Sequence, residues 1–225
     1  MPRILWVGFK ILLMFVLISW VFRQVRKPSG LLGRRMLRAM NLGHAAMTDW
    51  GLQHITVPKN AVILDIGCGG GRTVQKLAAL APDGKVVGLD YSPASVAISR
   101  ETNAEEMKAG RVQIELGSVA ALPFPEGTFD IVTAVETHYY WPDLPANARE
   151  ILRVLKPGGT WALIAETYRG GPLLLLYGIV MPLLRAKFLS DTEHRDLLTQ
   201  AGFTEVTTKH MSGRNWICAT GRRPT

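Results

Sequence analysis

Short apolar runs that end in acids and glycines recur along this chain. Val62, Ile63 and Leu64 lead into Asp65, and Val86, Val87 and Leu89 lead into Asp90. Residues 129–135 and 160–165 are two further apolar runs. Runs this uniformly apolar predict strands inside a sheet covered on both faces. Helical patterns separate them: residues 72–81 after a glycine turn, and a helix closed by Pro157-Gly158-Gly159. Another is expected over residues 191–201, with Asp191 as its cap and Gly202 as its stop. Residues 203–210 and 216–221 read as an antiparallel pair. Together these elements predict an α/β fold, a doubly wound, mostly parallel seven-stranded sheet that binds its ligand at the carboxyl ends of the first strands.

The richest chemistry lies where the first strand ends, in Asp65-Ile66-Gly67-Cys68-Gly69-Gly70-Gly71-Arg72. Glycines without a Cβ allow a tight turn and a close approach of backbone to ligand. The spacing is G-x-G-x-G behind an acid. The third glycine of the dinucleotide fingerprint is absent, because Arg72 stands there. Asp65 would repel a pyrophosphate and suits a ligand carrying an ammonium group. Asp90 follows about 25 residues later, where a carboxylate can accept hydrogen bonds from ribose hydroxyls. Tyr91 beside it can lie against a base, or be a half-buried aromatic at a strand end.

Gly117-Ser118-Val119 before the strand at 129–135, and Lys156-Pro157-Gly158-Gly159 before the next, complete an ordered set of motifs. Over residues 61–167 this set resembles class I S-adenosylmethionine (SAM)-dependent methyltransferases. The segment Met40-Asn41-Leu42-Gly43-His44, with Trp50, is similar to the region preceding the domain in the ubiquinone/menaquinone group. The resemblance implies a Rossmann-like fold with SAM as cofactor. It places Asp65, Gly67, Cys68, Gly69 and Gly71 at the amino-acid end of the cofactor, Asp90 at the ribose, and Tyr91, Ser118 and Val119 at the adenine. Ser118 departs from the Asp that many relatives carry, and an uncharged hydroxyl accepts a more weakly held bond.

Charge changes the picture at the N-terminus. Residues 1–50 carry eight Lys or Arg against Asp49 alone, which accounts for nearly all of the net charge of +8. The rest is close to neutral, which argues against a nucleic-acid substrate. Residues 4–22 are apolar apart from Lys10, and as a helix they would reach about 28 Å, close to a hydrocarbon core. Arg23, Arg26, Lys27, Arg34, Arg35 and Arg38 follow, so the positive-inside rule puts the domain in the cytoplasm. A single-pass membrane anchor is expected. A helix lying in the membrane plane, a cleaved signal and a buried core helix are the alternatives. Two cysteines, Cys68 and Cys218, make neither a disulfide framework nor a metal-ligand spacing.

The expected organisation is an anchor at residues 1–27, a pocket-capping helical segment at 28–58, and a methyltransferase domain at 59–225. A lid is inserted at about residues 166–189. Its apolar core, residues 172–184, is too short to span a bilayer. Gly178 and Pro182 are expected to bend or split any helix there, and the stretch reads either as a greasy lid or as a buried helix pair. Beside the sulfonium, Glu136-Thr137-His138-Tyr139-Tyr140-Trp141 offers the catalytic candidates: His138 as general base, Glu136 to orient the cofactor, and the aromatic face of Tyr140. His44, Trp50, Tyr139 and Trp141 are expected at the substrate. The acceptor expected is a lipophilic small molecule of the quinone, prenyl-lipid or phospholipid type. A soluble polar metabolite, or a tethered SAM-binding scaffold without catalysis, remain open alternatives.

Overall fold

The computed structural model describes residues 43–225 together with Ser29, Gly30, Gly33, Arg35, Met36 and Leu37. The apolar run at residues 4–22 and the Met40-Asn41-Leu42 part of the capping motif lie outside the described residues. Among the described residues no helix is long and apolar enough to cross a membrane.

The apolar runs form β1 (Val62–Ile66), β2 (Lys85–Asp90), β3 (Val112–Leu116), β4 (Phe129–Val135), β5 (Leu155–Ala165), β6 (Thr204–His210) and β7 (Ile217–Arg222). They make one sheet in the order β3-β2-β1-β4-β5-β7-β6. β1 through β5 pair in parallel, and β7 runs antiparallel to both β5 and β6. Alternate residues of each strand feed opposite faces. Leu64, Val132 and Leu163 enter one core, and Ile63, Ile131 and Ile164 enter the other. That two-sided burial is why the strands read as continuous apolar runs. The chain leaves β1 toward β2 and β3, then returns to the other side of β1 for β4 and β5, opening a crevice at the carboxyl ends of β1 and β4.

Helices cover both faces: α1 (Ala45–Leu52), α2 (Arg72–Leu80), α3 (Pro93–Thr102), α4 (Ala104–Lys108), α5 (Leu144–Val154), α6 (Leu174–Leu183) and α7 (Asp191–Ala201). α1 lies directly on β5, because Gly51 lets the two backbones approach. A Cβ there would stand 2.6 Å from the Ile164 side chain. The Gly51 carbonyl also accepts the Cys218 thiol at 3.6 Å. At the opposite end of the sheet, Asp130 ties three strands together. Its carboxylate accepts the Val62 N–H at 2.8 Å and the Lys156 ammonium at 2.9 Å.

Three local expectations are corrected. α7 is capped by Ser190, not Asp191: the Ser190 hydroxyl accepts the Glu193 N–H at 3.2 Å, and the Glu193 carboxylate accepts the Ser190 N–H at 2.7 Å. This reciprocal box satisfies two helix-end donors at once. It leaves the Asp191 carboxylate for Arg195 and His210. Second, Pro157-Gly158-Gly159 does not close α5. The helix ends at Val154, and β5 already begins at Leu155, with a shift in its ladder opposite Phe129 and Ile131. Third, residues 174–183 form one unsplit helix, because Pro182 falls in its last turn and removes a single backbone bond. Only Met181 of that helix is buried, so the buried-pair alternative is excluded.

Gly51→Ala would force a methyl into the fully buried Ile164. The expected cost is about 1–3 kcal/mol, as for other overpacked cores. It would be read as a lower denaturation midpoint with faster hydrogen exchange in α1; an unchanged midpoint would show that the α1–β5 contact is loose.

Candidate active site

The β1–α2 turn is built around left-handed backbone. Gly67 has φ +73°, and a Cβ on it would lie 2.2 Å from the Thr137 hydroxyl, so only glycine fits between the turn and the end of β4. The Gly67 and Cys68 N–H groups both donate to the Leu89 carbonyl, at 2.7 and 3.1 Å, and the Gly69 N–H donates to the Asp90 carboxylate at 2.9 Å. The turn is therefore fastened to the end of β2. Gly71, at φ +82°, starts α2 and packs against Ser99 and Asn103. It closes the turn from behind and does not face the crevice, which corrects its expected place as a cofactor contact.

A cavity of about 710 Å³ occupies the crevice. One half is lined by Gly67, Cys68, Gly69, Asp90, Tyr91, Ser118 and Val119. Asp90 uses one oxygen for Gly69 and the other for the Ser92 N–H at 2.8 Å, which fixes its orientation. Burial pushes its pKa up, against those backbone bonds. Cys68 is a buried filler whose thiol is pushed well up by burial and then by the charges of Asp90 and Asp65. Asp65 is corrected from a direct contact to a supporting residue. It is buried behind the turn, outside the cavity lining, where the Thr133 hydroxyl donates to it at 2.6 Å.

The other half is lined by His44, Glu136, Tyr139, Tyr140, Trp141 and Glu166, and closed by Tyr177, Val180, Met181 and Leu184 from α6 and its C-cap. Glu136 follows β4 with φ +57°, a left-handed conformation costly for a side-chain-bearing residue. Its carboxylate accepts the Tyr139 hydroxyl at 3.0 Å and the Glu166 N–H. His44 Nε2 lies 3.6 Å from the Glu166 carboxylate. Potential ligand atoms of His44, Glu136 and Glu166 all fall within 4.8 Å of one another, a grouping able to hold a cation.

His138 is the main correction. It is fully buried, absent from the cavity lining, and packed against the rings of Tyr139 (4.2 Å) and His194 (5.3 Å). Burial, then the nearby His194 and Lys187, hold its pKa well below the usual imidazole range. It is a packing residue that cannot reach an acceptor. Trp50 is likewise outside the cavity, in an aromatic cluster with His54 and Trp216. Glu166 was missed by the sequence reading. It stands one residue past β5, as Glu136 stands one past β4, and that repeated strand-end position is the signal that could have found it.

Two of these acids should make stability fall with rising pH. Burial, with Asp90 adding and the Thr133 hydrogen bond opposing, pushes Asp65 up to about 7. Burial, with the Glu166 charge adding and the Glu166 N–H and Tyr139 hydroxyl opposing, pushes Glu136 up to about 8. Both carboxyls bind protons more tightly in the folded state. Their unfavourable contribution therefore grows from the ordinary carboxylate range up through these values, and stability declines across that window. Glu136→Gln should make the decline shallower when Tm is followed against pH without cofactor. A slope identical to that of the unaltered protein would show that Glu136 is ionised throughout.

Residues 63–159 match the family model described as a methyltransferase domain. The 2-methyl-6-phytyl-1,4-hydroquinone methyltransferase of Synechocystis sp. is 31% identical over 160 residues, covering 71% of this chain and 48% of the relative. The demethylmenaquinone methyltransferase of Lactococcus lactis is 36% identical over 145 residues, covering 62% and 57%. That of Symbiobacterium thermophilum is 41% identical over 98 residues, covering 43% and 39%. The chain thus spans about half the length of these curated relatives. In fold it is similar to human N-acetylserotonin methyltransferase in complex with SAM, with a TM-score of 0.72 at 22% identity, over 85% of this chain and 56% of that one. The sheet order, the fastened glycine turn and these matches agree: residues 63–159 form a methyltransferase domain similar to those of the class I SAM-dependent methyltransferases.

Proposed function

We propose that this protein transfers the methyl group of SAM to a lipophilic hydroxyaromatic acceptor of the quinol type, while held at a membrane by residues 4–22 with its catalytic domain in the cytoplasm. The observation that carries the reading is the acceptor half of the cavity. Aromatic and aliphatic walls (Tyr139, Tyr140, Trp141, Tyr177, Val180, Met181) enclose a small polar group, His44, Glu136 and Glu166. Such a pocket takes a large apolar body and handles one or two polar atoms on it. The named relatives that act on quinone-type compounds support the same class of acceptor.

Bound SAM would supply an electrophilic methyl group on a positively charged sulfur, the S–CH3 electron pair staying on sulfur as the acceptor takes the methyl. Gly67, Gly69 and Asp90 would hold the cofactor against the turn, and alignment with exclusion of water would contribute much of the rate. Glu166 stands beside Glu136 in this half of the cavity, and Glu136, held protonated near pH 7 by burial in the empty site, would be drawn toward its ionised form by a cationic guest. His44 replaces His138 as the base. Burial lowers its pKa while Glu166 raises it, so it is neutral near pH 7 and can take the acceptor's hydroxyl proton. Glu166, at 3.6 Å, then stabilises the imidazolium.

Incubating the purified protein with labelled SAM and fractionated membrane lipids should label a hydroxyaromatic lipid. Label only in polar metabolites would overturn the acceptor class, and none at all would favour a SAM-binding scaffold. His44→Ala should lower kcat by about 10²–10⁴, the usual worth of a positioned base. His138→Ala should lower Tm and leave kcat near that of the unaltered protein; the reverse pattern would return the base to His138. Carbonate extraction should leave the full chain in the membrane fraction, and its release would refute a spanning anchor.

A further inference from the structure

Exposed large apolar side chains are concentrated on one helix. Leu173, Leu174, Leu175, Leu176, Ile179 and Leu183 are all at least 41% exposed, with Leu175 at 87% and Ile179 at 67%. A cluster of this kind marks an interaction surface rather than scattered surface leucines. α6 is apolar on two opposite faces. Tyr177, Val180, Met181 and Leu184 point at helical spacing into the cavity. Leu175, Ile179 and Leu183, spaced by four, point away from it. One face is thus accounted for by the acceptor pocket, and the other is bare.

What covers the bare face is indicated by its surroundings. No charged residue occurs from Gly170 to Leu184, and Arg185 follows at once with no ion-pair partner among the described residues. An apolar surface edged by an unpaired cation matches a bilayer with anionic headgroups. At 1.5 Å per residue the helix is about 15 Å long, half of a hydrocarbon core, so it suits the interface and not a span. A second observation agrees. Met36 and Leu37 line the same cavity as Val180, Met181 and Leu184. Met36 and Leu37 therefore belong to the cavity wall that α6 completes, and the apolar run at residues 4–22 precedes them in the sequence.

We propose that α6 lies in the membrane surface with Leu175, Ile179 and Leu183 among the acyl chains, so that the acceptor enters the cavity from the lipid phase past this helix. This rests on the lipophilic-acceptor reading, but its location test does not. Cys68 and Cys218 are both buried, so a single introduced cysteine can be labelled selectively in the full chain. With Leu175→Cys or Ile179→Cys carrying an environment-sensitive fluorophore, vesicles of phosphatidylcholine and phosphatidylglycerol should shift the emission to the blue, and lipids spin-labelled on the acyl chain should quench it. Leu80→Cys, exposed at the end of α2, should show neither effect. A blue shift without lipid quenching would mean that a second copy or residues 4–22 cover the helix, and no shift would mean that nothing does; either overturns the proposal. With an acceptor in hand, Leu175→Ser with Ile179→Ser should raise KM for vesicle-borne acceptor on the order of ten-fold, from the lost apolar burial. SAM affinity and kcat with detergent-dispersed acceptor should stay unchanged. Equal KM values in vesicles for the altered and unaltered proteins would refute entry past α6, whereas a failure to methylate any lipid would count against the acceptor reading and leave the quenching result standing.

Discussion

The fastening of the β1–α2 turn to its neighbours is the constraint on which the rest of the site depends. Gly67 sits where a Cβ would collide with Thr137, so the turn and the end of β4 are in direct contact. On the other side, the turn's N–H groups are taken by the Leu89 carbonyl and the Asp90 carboxylate. Three strand ends are thereby held in one arrangement before any ligand arrives. The Asp90 carboxylate, the glycine backbone and the Glu136–Trp141 segment cannot drift apart independently. Preorganisation of this kind matters because a displacement of about 1 Å in an alignment-driven reaction can cost roughly a hundred-fold in rate.

The same strand ends collect negative charge. Asp65, Asp90, Glu136 and Glu166 all come from the carboxyl ends of β1, β2, β4 and β5 or the residue following, and three of them line one cavity. Burial is the main cause that raises Asp65, Asp90 and Glu136, with the Asp90 charge adding at Asp65 and the Glu166 charge adding at Glu136. Carboxyls packed this way disfavour their own ionisation and favour a cationic guest, because a positive charge repays the desolvation that each has suffered. SAM brings a sulfonium and an ammonium. The site's electrostatic cost in the empty state is thus the counterpart of its affinity for the cofactor. The strained φ of Glu136 belongs to the same balance, since the Tyr139 hydroxyl and Glu166 N–H hold it there.

The sheet was legible because its strands are buried on both faces, which writes uninterrupted apolar runs into the sequence. Gly67 and Asp90 were legible because a turn between two backbones and a strand-end acid leave local marks. What failed was whatever depends on the direction of a side chain or on contacts distant in sequence. His138 follows β4 as Glu136 does, but the short 3-10 turn at His138–Tyr140 rotates it into the core beside His194. Trp50 is on the correct helix and on the wrong face. Glu166 becomes part of the site only because α1, docked on β5 through Gly51, brings His44 over it. Asp191 lost the cap to Ser190 because the Glu193 carboxylate makes a reciprocal pair with Ser190, a two-residue effect that a single-position preference does not contain.

α6 shows how composition and location are linked. A helix that walls an apolar pocket needs one apolar face, and in a water-facing protein its opposite face would be polar. Here the opposite face is leucine and isoleucine, so pocket lining alone does not explain its composition. The charge distribution is uneven in the same direction: the domain beyond residue 50 is close to neutral, and the bases gather beside the apolar run at residues 4–22. Met36 and Leu37, which follow that run in the sequence, line the same cavity wall as α6. An acceptor dissolved in lipid would otherwise have to leave the bilayer and cross water, losing about 0.8 kcal/mol of favourable burial for every methylene exposed. A pocket whose wall is itself wetted by lipid removes that step, and a two-faced apolar helix is the simplest way to build one.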